Sequence, residues 1–434
     1  MKIKGIDRTA NVAWSPQHQY PIYLAAGTAA QQLDASFSTS AALEVYSLNL
    51  NDPGNDLALK ATVQSEQRFH KLTWGNYGQN SGAIVGGCDN GVIQIYNATK
   101  LLNGENGLVS QQSKHKGPVK ALDFNSFQSN LLASGASESE IFIWDLNNTN
   151  TPMTPGSKSQ PPEDITSIAW NKQVQHILAS SFPTKCVVWD LRKNDPIIKL
   201  SDSASRIRWN VVAWNPEIAT QLCLGSEEDQ NPVIQLWDLR FATSPLKILE
   251  NHQRGVLSVS WCHQDTDMLL SCGKDNRILC WNPNSTSPGI KKNFFYCKCH
   301  LINCFLNFLD AEVICEIMSS NQWNFDVSWC PRNPALFVCS SFDGHVSIYS
   351  VVGGPQQVQT SNKIADSFPG MELYTKAPVP QTHAVPVELR KPPKWLRKPV
   401  GATFGVSYYT SIKNHKLLNI FLKFDEQFFS LVEN

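Results

Sequence analysis

The sequence predicts an all-β fold, a closed ring of seven blades, and three observations carry that expectation. Alternating apolar runs end in an aromatic at Tyr46, Tyr96, Trp144, Trp189, Trp237, Trp281 and Tyr349, at successive spacings of 50, 48, 45, 48, 44 and 68 residues. A second series, Trp14, Trp74, Phe124, Trp170, Trp214, Trp261 and Trp329, precedes them by 32, 22, 20, 19, 23, 20 and 20 residues. Between the members of each pair lies a run of small residues, such as LAAG, LLASGA, HILASS or LLSCG. Turn chemistry follows it, as in Asp89-Asn90-Gly91, Asp275-Asn276 and Asp343-Gly344.

Each unit therefore reads as strand, turn, small-residue strand, turn, and a strand closed by its aromatic anchor. A period near 45 with Trp-Asp at the end of the third strand, literal at Trp144-Asp145, Trp189-Asp190 and Trp237-Asp238, is the signature of a WD-repeat β-propeller. A single blade cannot bury both faces, so blades must stack around an axis, and the small residues are expected on the crowded inner strands. Seven units over residues 1–351 fill one ring. Lys2-Ile3-Lys4-Gly5-Ile6 is expected to close it by supplying the outer strand of the last blade.

Composition agrees with a folded, net-neutral chain. The 434 residues hold 37 Lys plus Arg against 37 Asp plus Glu, so no global field draws the chain to nucleic acid or directly to an anionic membrane. Apolar residues make up 42% and charged ones 17%, which suits a packed core and excludes a disordered chain. The start, MKIKGIDRTANVAW, lacks an apolar core, so no signal peptide is expected. The longest strongly apolar stretch, 301–309, is too short to span a bilayer. The 12 Cys lie mostly in apolar runs and read as reduced thiols of a cytosolic protein.

The period breaks in two places. The first unit carries extra residues around 29–43, read as an elongated hairpin or loop. Between Trp281 and Trp329 the interval is 48 residues, where elsewhere it is 24 to 28. The excess is placed near 290–309, a run with four Phe and three Cys. This run and the segment 405–434 are read as sequence foreign to the repeat, of the kind a splicing or gene-model error supplies; a genuine amphipathic insertion is the alternative. Residues 352–399 read as a Pro-rich linker, with Arg390, Lys391, Lys394, Arg397 and Lys398 forming a basic stretch. The strand-like Val400-Gly401-Ala402-Thr403-Phe404 follows it, so strand donation to another protein is a candidate function.

No phosphate loop, dinucleotide fingerprint, zinc-protease or nucleophile-elbow motif occurs. Neither a catalytic centre nor a cofactor is expected. Cys297, Cys299, His300 and Cys304 resemble metal ligands superficially, but they lack two spaced pairs on a rigid turn, so no metal is assigned. The resemblance to WD repeats, in which a His, a Ser, a turn Asp and the Trp form a buried hydrogen-bonded set, implies such a structural set for His252, Ser271, Asp275 and Trp281, and His115 stands at the same 29-residue offset from Trp144 as His252 from Trp281. Glu227-Glu228-Asp229 reads as a solvated turn, with an acidic rim for a partner as the sharper reading.

Several runs resemble a known family. Residues 15–39, 143–180, 235–252, 269–284, 329–337 and 389–404 are similar to the large outer-cage subunit of the COPII vesicle coat. The resemblance covers about 2–404 without 290–309. It implies a non-enzymatic scaffold at the cage vertices, peripheral on endoplasmic-reticulum exit sites and transport vesicles. The implied partners are other cage copies and the small WD-repeat cage subunit. That subunit's open propeller takes strands donated by the segment that Trp395, Val400, Gly401, Ala402, Thr403 and Phe404 match. The family's solenoid and the proline-rich region that reaches the inner coat match nothing here, and with one matching strand, binding to the small subunit is expected to be weak or absent. The rival readings are a WD-repeat adaptor in a ubiquitin-ligase or chromatin complex, or an enzyme with acids or His converging on the inner strands.

Overall fold

The computed structural model describes residues 1–30, 41–78, 81–158, 160–201, 207–285, 312–318, 321–352, 393–396, 403–404 and 410–411. Residues 1–390 form one unit and 391–434 another. The first unit contains seven antiparallel four-stranded sheets. Blade 1 comprises Ala10–Trp14, Ile22–Thr28, Ala41–Leu48 and Ala58–Ser65. Blades 2 to 6 begin with Phe69–Gly75, Ala121–Phe124, Ser167–Trp170, Trp209–Trp214 and Val256–Trp261, and each continues outward in sequence order. Blade 7 has Asn324–Trp329 innermost, then Leu336–Ser341 and Val346–Ser350, and its outer strand is Lys2–Ile6. Each first strand packs beside the first strand of the next blade, and those of blades 7 and 1 meet to complete the circle.

The closing strand pairs Lys2 with Tyr349, Lys4 with Ile348 and Ile6 with Val346, as the sequence reading expects. A loop of blade 1 clamps it from the other side. The Lys4 ammonium, 2% exposed, donates to the carbonyls of Asp52, Gly54 and Asp56, and the Gly5 amide donates to Asn55. A buried ammonium is tolerable only with such partners.

The core is divided into clusters shared between neighbouring blades. Trp14, Leu24 and Tyr46 of blade 1 pack with Leu336, Val338 and Ile348 of blade 7. Cys186, Val188 and Leu200 of blade 4 pack with Trp214, Leu222 and Trp237 of blade 5. One expectation is corrected here. The small-residue strands lie second from the axis, and the strands ending in Trp14, Trp74, Phe124 and their equivalents lie innermost. Small residues are needed because the next blade leans onto them. A Cβ on Gly27 would stand 2.6 Å from the Phe69 ring of blade 2, and one on Gly135 would stand 2.5 Å from Ile165 before blade 4.

The first period break resolves partly. Residues 41–43 belong to the third strand of blade 1, not to a loop, and 31–40 lie outside the described residues. The second break separates Asn282 from Glu312–Met318, the outer strand of blade 6. Residues 290–309, nearly all of the linker 352–399, and 412–434 lie outside the described residues. In the second unit, Lys394–Leu396 form a 3-10 turn, and Thr403–Phe404 pair antiparallel with Thr410–Ser411.

Candidate functional site: blade anchors, channel and tail

The seven aromatic anchors all lie in third strands, and all are buried. Their polar atoms explain which neighbours they need. The residue two positions beyond the anchor's cross-strand partner is Ser134 for Trp144, Ser180 for Trp189 and Ser271 for Trp281. Each hydroxyl accepts the indole N–H, at 2.7, 2.8 and 2.7 Å. Two of the three tyrosine anchors need no such serine. Tyr46 donates to Glu44 and Tyr96 to Gln94, each two residues earlier on its own strand. The equivalent second-strand positions are then Ala26 and Gly86. Trp237 is the exception: Leu224 holds the serine position, and its indole N–H lacks a protein acceptor.

In blade 6 the hydrogen bonds continue as a relay. Trp281 Nε1 donates to Ser271 Oγ, Ser271 donates to His252 Nε2 at 2.7 Å, and His252 Nδ1 donates to the Asp275 carboxylate at 2.9 Å. Burial raises the Asp275 carboxyl, but the bonds from His252 and the Gln253 amide hold it below the ordinary range. The carboxylate fixes the tautomer, and every buried polar atom of the set has a partner. Blade 3 repeats the motif with His115, Ser134 and Trp144, but there the acid is Glu140, 3.5 Å from Nδ1. Burial pushes His115 down to about 4 despite that carboxylate. Ser134 and Ser271 are both 0% exposed, out of reach of any substrate, and both sets lock a loop onto a blade.

The inner strands enclose a channel of about 960 Å³ lined by residues of all seven blades. The residue three before each inner anchor faces it: Asn11, Lys71, Ala121, Ser167, Val211, Ser258 and Asp326. Sequence reasoning missed this ring, although the offset from the second aromatic series would have found it. Bulges in the inner strands of blades 2, 5, 6 and 7 also turn His70, Asn210, Leu257 and Phe325 toward it. The charges are internally matched. Lys71 reaches past blade 1 to Asp326 at 3.3 Å, and Ser258 donates to the same carboxylate at 3.0 Å. At the mouth, Lys120 pairs with Asp164 and Arg208 with Glu227, both at 3.4 Å. The acidic turn is engaged too: Asp229 accepts from the Gly255 amide and lies 3.7 Å from Lys274. Among the described residues, no three His, Cys, Asp or Glu side chains converge to hold a metal.

In the tail, Trp395 is half-buried within its turn, and Thr403 and Phe404 lie in the short ladder. Val400, Gly401 and Ala402, as well as Cys297, Cys299, His300 and Cys304, lie outside the described residues.

The family model for the WD domain, G-beta repeat, matches residues 107–145 and 243–282. The chain is 52% identical over 426 residues to protein transport protein Sec31A of Danio rerio and 51% over 425 residues to that of Homo sapiens, covering 93% of this chain in each case. The Dictyostelium discoideum relative, SEC31, is 38% identical over 425 residues. The chain spans about a third of the length of these curated relatives. Among solved structures, a chain of the COPII outer coat vertex on membranes aligns with a TM-score of 0.73 at 30% identity, covering 94% of this chain and 99% of that one. A chain of the COPII coat assembled on membranes aligns with a TM-score of 0.69 at 32% identity, covering 82% and 48%. A mitotic checkpoint complex chain, at 14% identity and a TM-score of 0.58, shares the fold alone. The ring, its anchors and this near-complete match to an outer-coat chain make one conclusion: the chain belongs to the Sec31 family of protein transport proteins, as its WD-repeat propeller portion.

Proposed function

We propose that the chain is a non-catalytic scaffold of the COPII outer coat, holding cage vertices during export from the endoplasmic reticulum to the Golgi. The observation that carries this reading is the alignment over 99% of an outer-coat vertex chain. The geometry supports it: apart from the Trp237 indole, the anchor and channel groups described above bond one another, which suits a rigid ring more than a reaction centre. The chain works on the cytoplasmic side at exit sites and on vesicles, and its membrane association is indirect. Its partners are other cage copies and the small WD-repeat cage subunit, with Trp395 and 400–404 at the second contact.

The test exchanges propellers. The corresponding portion of Homo sapiens Sec31A is replaced by this chain, and outer-coat assembly on membranes is imaged. Cages with filled vertices are expected. A folded chimera that is recruited to no coat overturns the reading. Size-exclusion chromatography with the small cage subunit tests the tail: with one matching strand at 400–404, no stable co-elution is expected, and a stable one-to-one complex would mean that residues after 404 supply further strands.

A further inference from the structure

Blade 6 brings two cysteines face to face. Cys280, in Arg277–Asn282, is the register partner of Cys315, in the outer strand Glu312–Met318. Directly opposed residues of an antiparallel pair have Cα atoms about 4.5–5.5 Å apart. A disulfide needs about 4.4–6.8 Å, so the register places this pair, beside the shift between Cys280 and Trp281, within bridging range. Both thiols are free. Cys280 is 1% exposed, whereas Cys315 is half-buried and open to a reagent. We propose that Cys280 and Cys315 form a reversible redox site, closed by a low-molecular-weight disulfide such as glutathione disulfide, that pins the outer strand to blade 6.

The strand has reason to be the target. It is the edge of its sheet, and 29 residues separate it in sequence from its neighbour strand. Its described side-chain tie is Glu316, held by Arg277 Nε at 2.5 Å and Nη2 at 2.7 Å. Interaction between the two thiols holds Cys315 below the ordinary thiol range and, with burial, pushes Cys280 well above it. Cys315 is therefore the attacking thiolate. It attacks one sulfur of glutathione disulfide, forms a mixed disulfide and releases one glutathione thiolate. Cys280, giving up its proton, then attacks the Cys315 sulfur and expels the second glutathione. Two protein thiols are oxidised, one glutathione disulfide is reduced to two thiols, and the two protons end on the departing thiolates.

Cys272 and Cys339 provide a control. They touch each other across blades 6 and 7, but both are sealed, at 0% and 2% exposure. The folded chain is incubated with glutathione disulfide, alkylated and mapped without reduction. The expected result is loss of the 280 and 315 thiols together, a linked 280–315 peptide, and slower amide exchange over 312–318, with 272 and 339 unreacted. Cys280→Ser should leave Cys315 carrying glutathione, and Cys315→Ser should leave Cys280 unmodified. The proposal is overturned if no 280–315 link forms in the folded chain. It is equally overturned if the link forms only in denaturant that also exposes 272 and 339.

Discussion

Trp14 donates its indole N–H to the carbonyl of Ser328, 3.1 Å away, across the seam where blade 1 meets blade 7. The same bond joins other neighbours. Trp170 donates to Asp123, Trp214 to Ala169 and Trp329 to Ser260, each reaching the inner strand of the preceding blade. Trp74 and Trp261 instead donate to turns of their own blades, at Ser81 and Thr266. The inner aromatic series is therefore more than a core marker. In four of seven blades it ties one sheet to the next.

Trp14→Phe keeps most of the ring's apolar bulk and removes that donor. It should cost about 1 kcal/mol, the net worth of one hydrogen bond, beyond the loss of ring area. Urea unfolding compares it with Trp74→Phe, whose bond lies within a blade. If the seam bond matters to closure, Trp14→Phe should also speed amide exchange in Lys2–Ile6, and Trp74→Phe should not. Equal exchange in the two variants rejects a role at the seam.

Much of this ring was legible because its anchors are large, periodic and apolar, and the relay from Trp281 to Asp275 followed from the resemblance to WD repeats. The radial order of strands was not. Small residues suggested crowding at the axis, whereas Gly27 and Gly135 are small because Phe69 and Ile165 lean on them from the next blade. The Lys4 clamp and the Lys71–Asp326 pair were also hidden. Both depend on contacts between residues made neighbours only by closure, and no local pattern encodes that.

The indole environments give a paired test. Trp281 is hydrogen-bonded to Ser271, while the Trp237 N–H has no protein acceptor because Leu224 occupies the serine position. Alanine at either site should cost about 3–5 kcal/mol, since both are 1% exposed. Phenylalanine should separate them: Trp281→Phe loses a bond and leaves Ser271 with only its donation to His252, so it should cost about 1–2 kcal/mol more than Trp237→Phe. Unfolding midpoints check the order, and a reversal contradicts this account of the anchors.

Residues 290–309 should be dispensable for the ring. They fall between Asn282 and Glu312, which are cross-strand partners. The ends of the connection are therefore adjacent, and the residues left after deletion exceed an ordinary hairpin loop of about 2–5. Each doubling of loop length costs only about 0.6 kcal/mol, so shortening should preserve or slightly raise the melting temperature. A large loss on deletion would make the segment part of the core.

His115 predicts a pH dependence with a definite sign. Burial lowers it to about 4, while the unfolded chain titrates it near 6.5. Between those values the unfolded state binds the proton and the folded state refuses it. The stability that His115 contributes is therefore complete above about pH 6.5 and is lost as pH falls toward 4, by up to about 3 kcal/mol. The Glu140 carboxylate nearby limits the loss, because it favours the charged ring. His115→Gln keeps a polar group against Ser134 but cannot take up the proton. Its unfolding free energy should be lower than the parent's at pH 7.5, and the gap should narrow or close by pH 4.5. Parallel stability curves for the two proteins across that window would mean that burial does not keep His115 neutral in the folded ring.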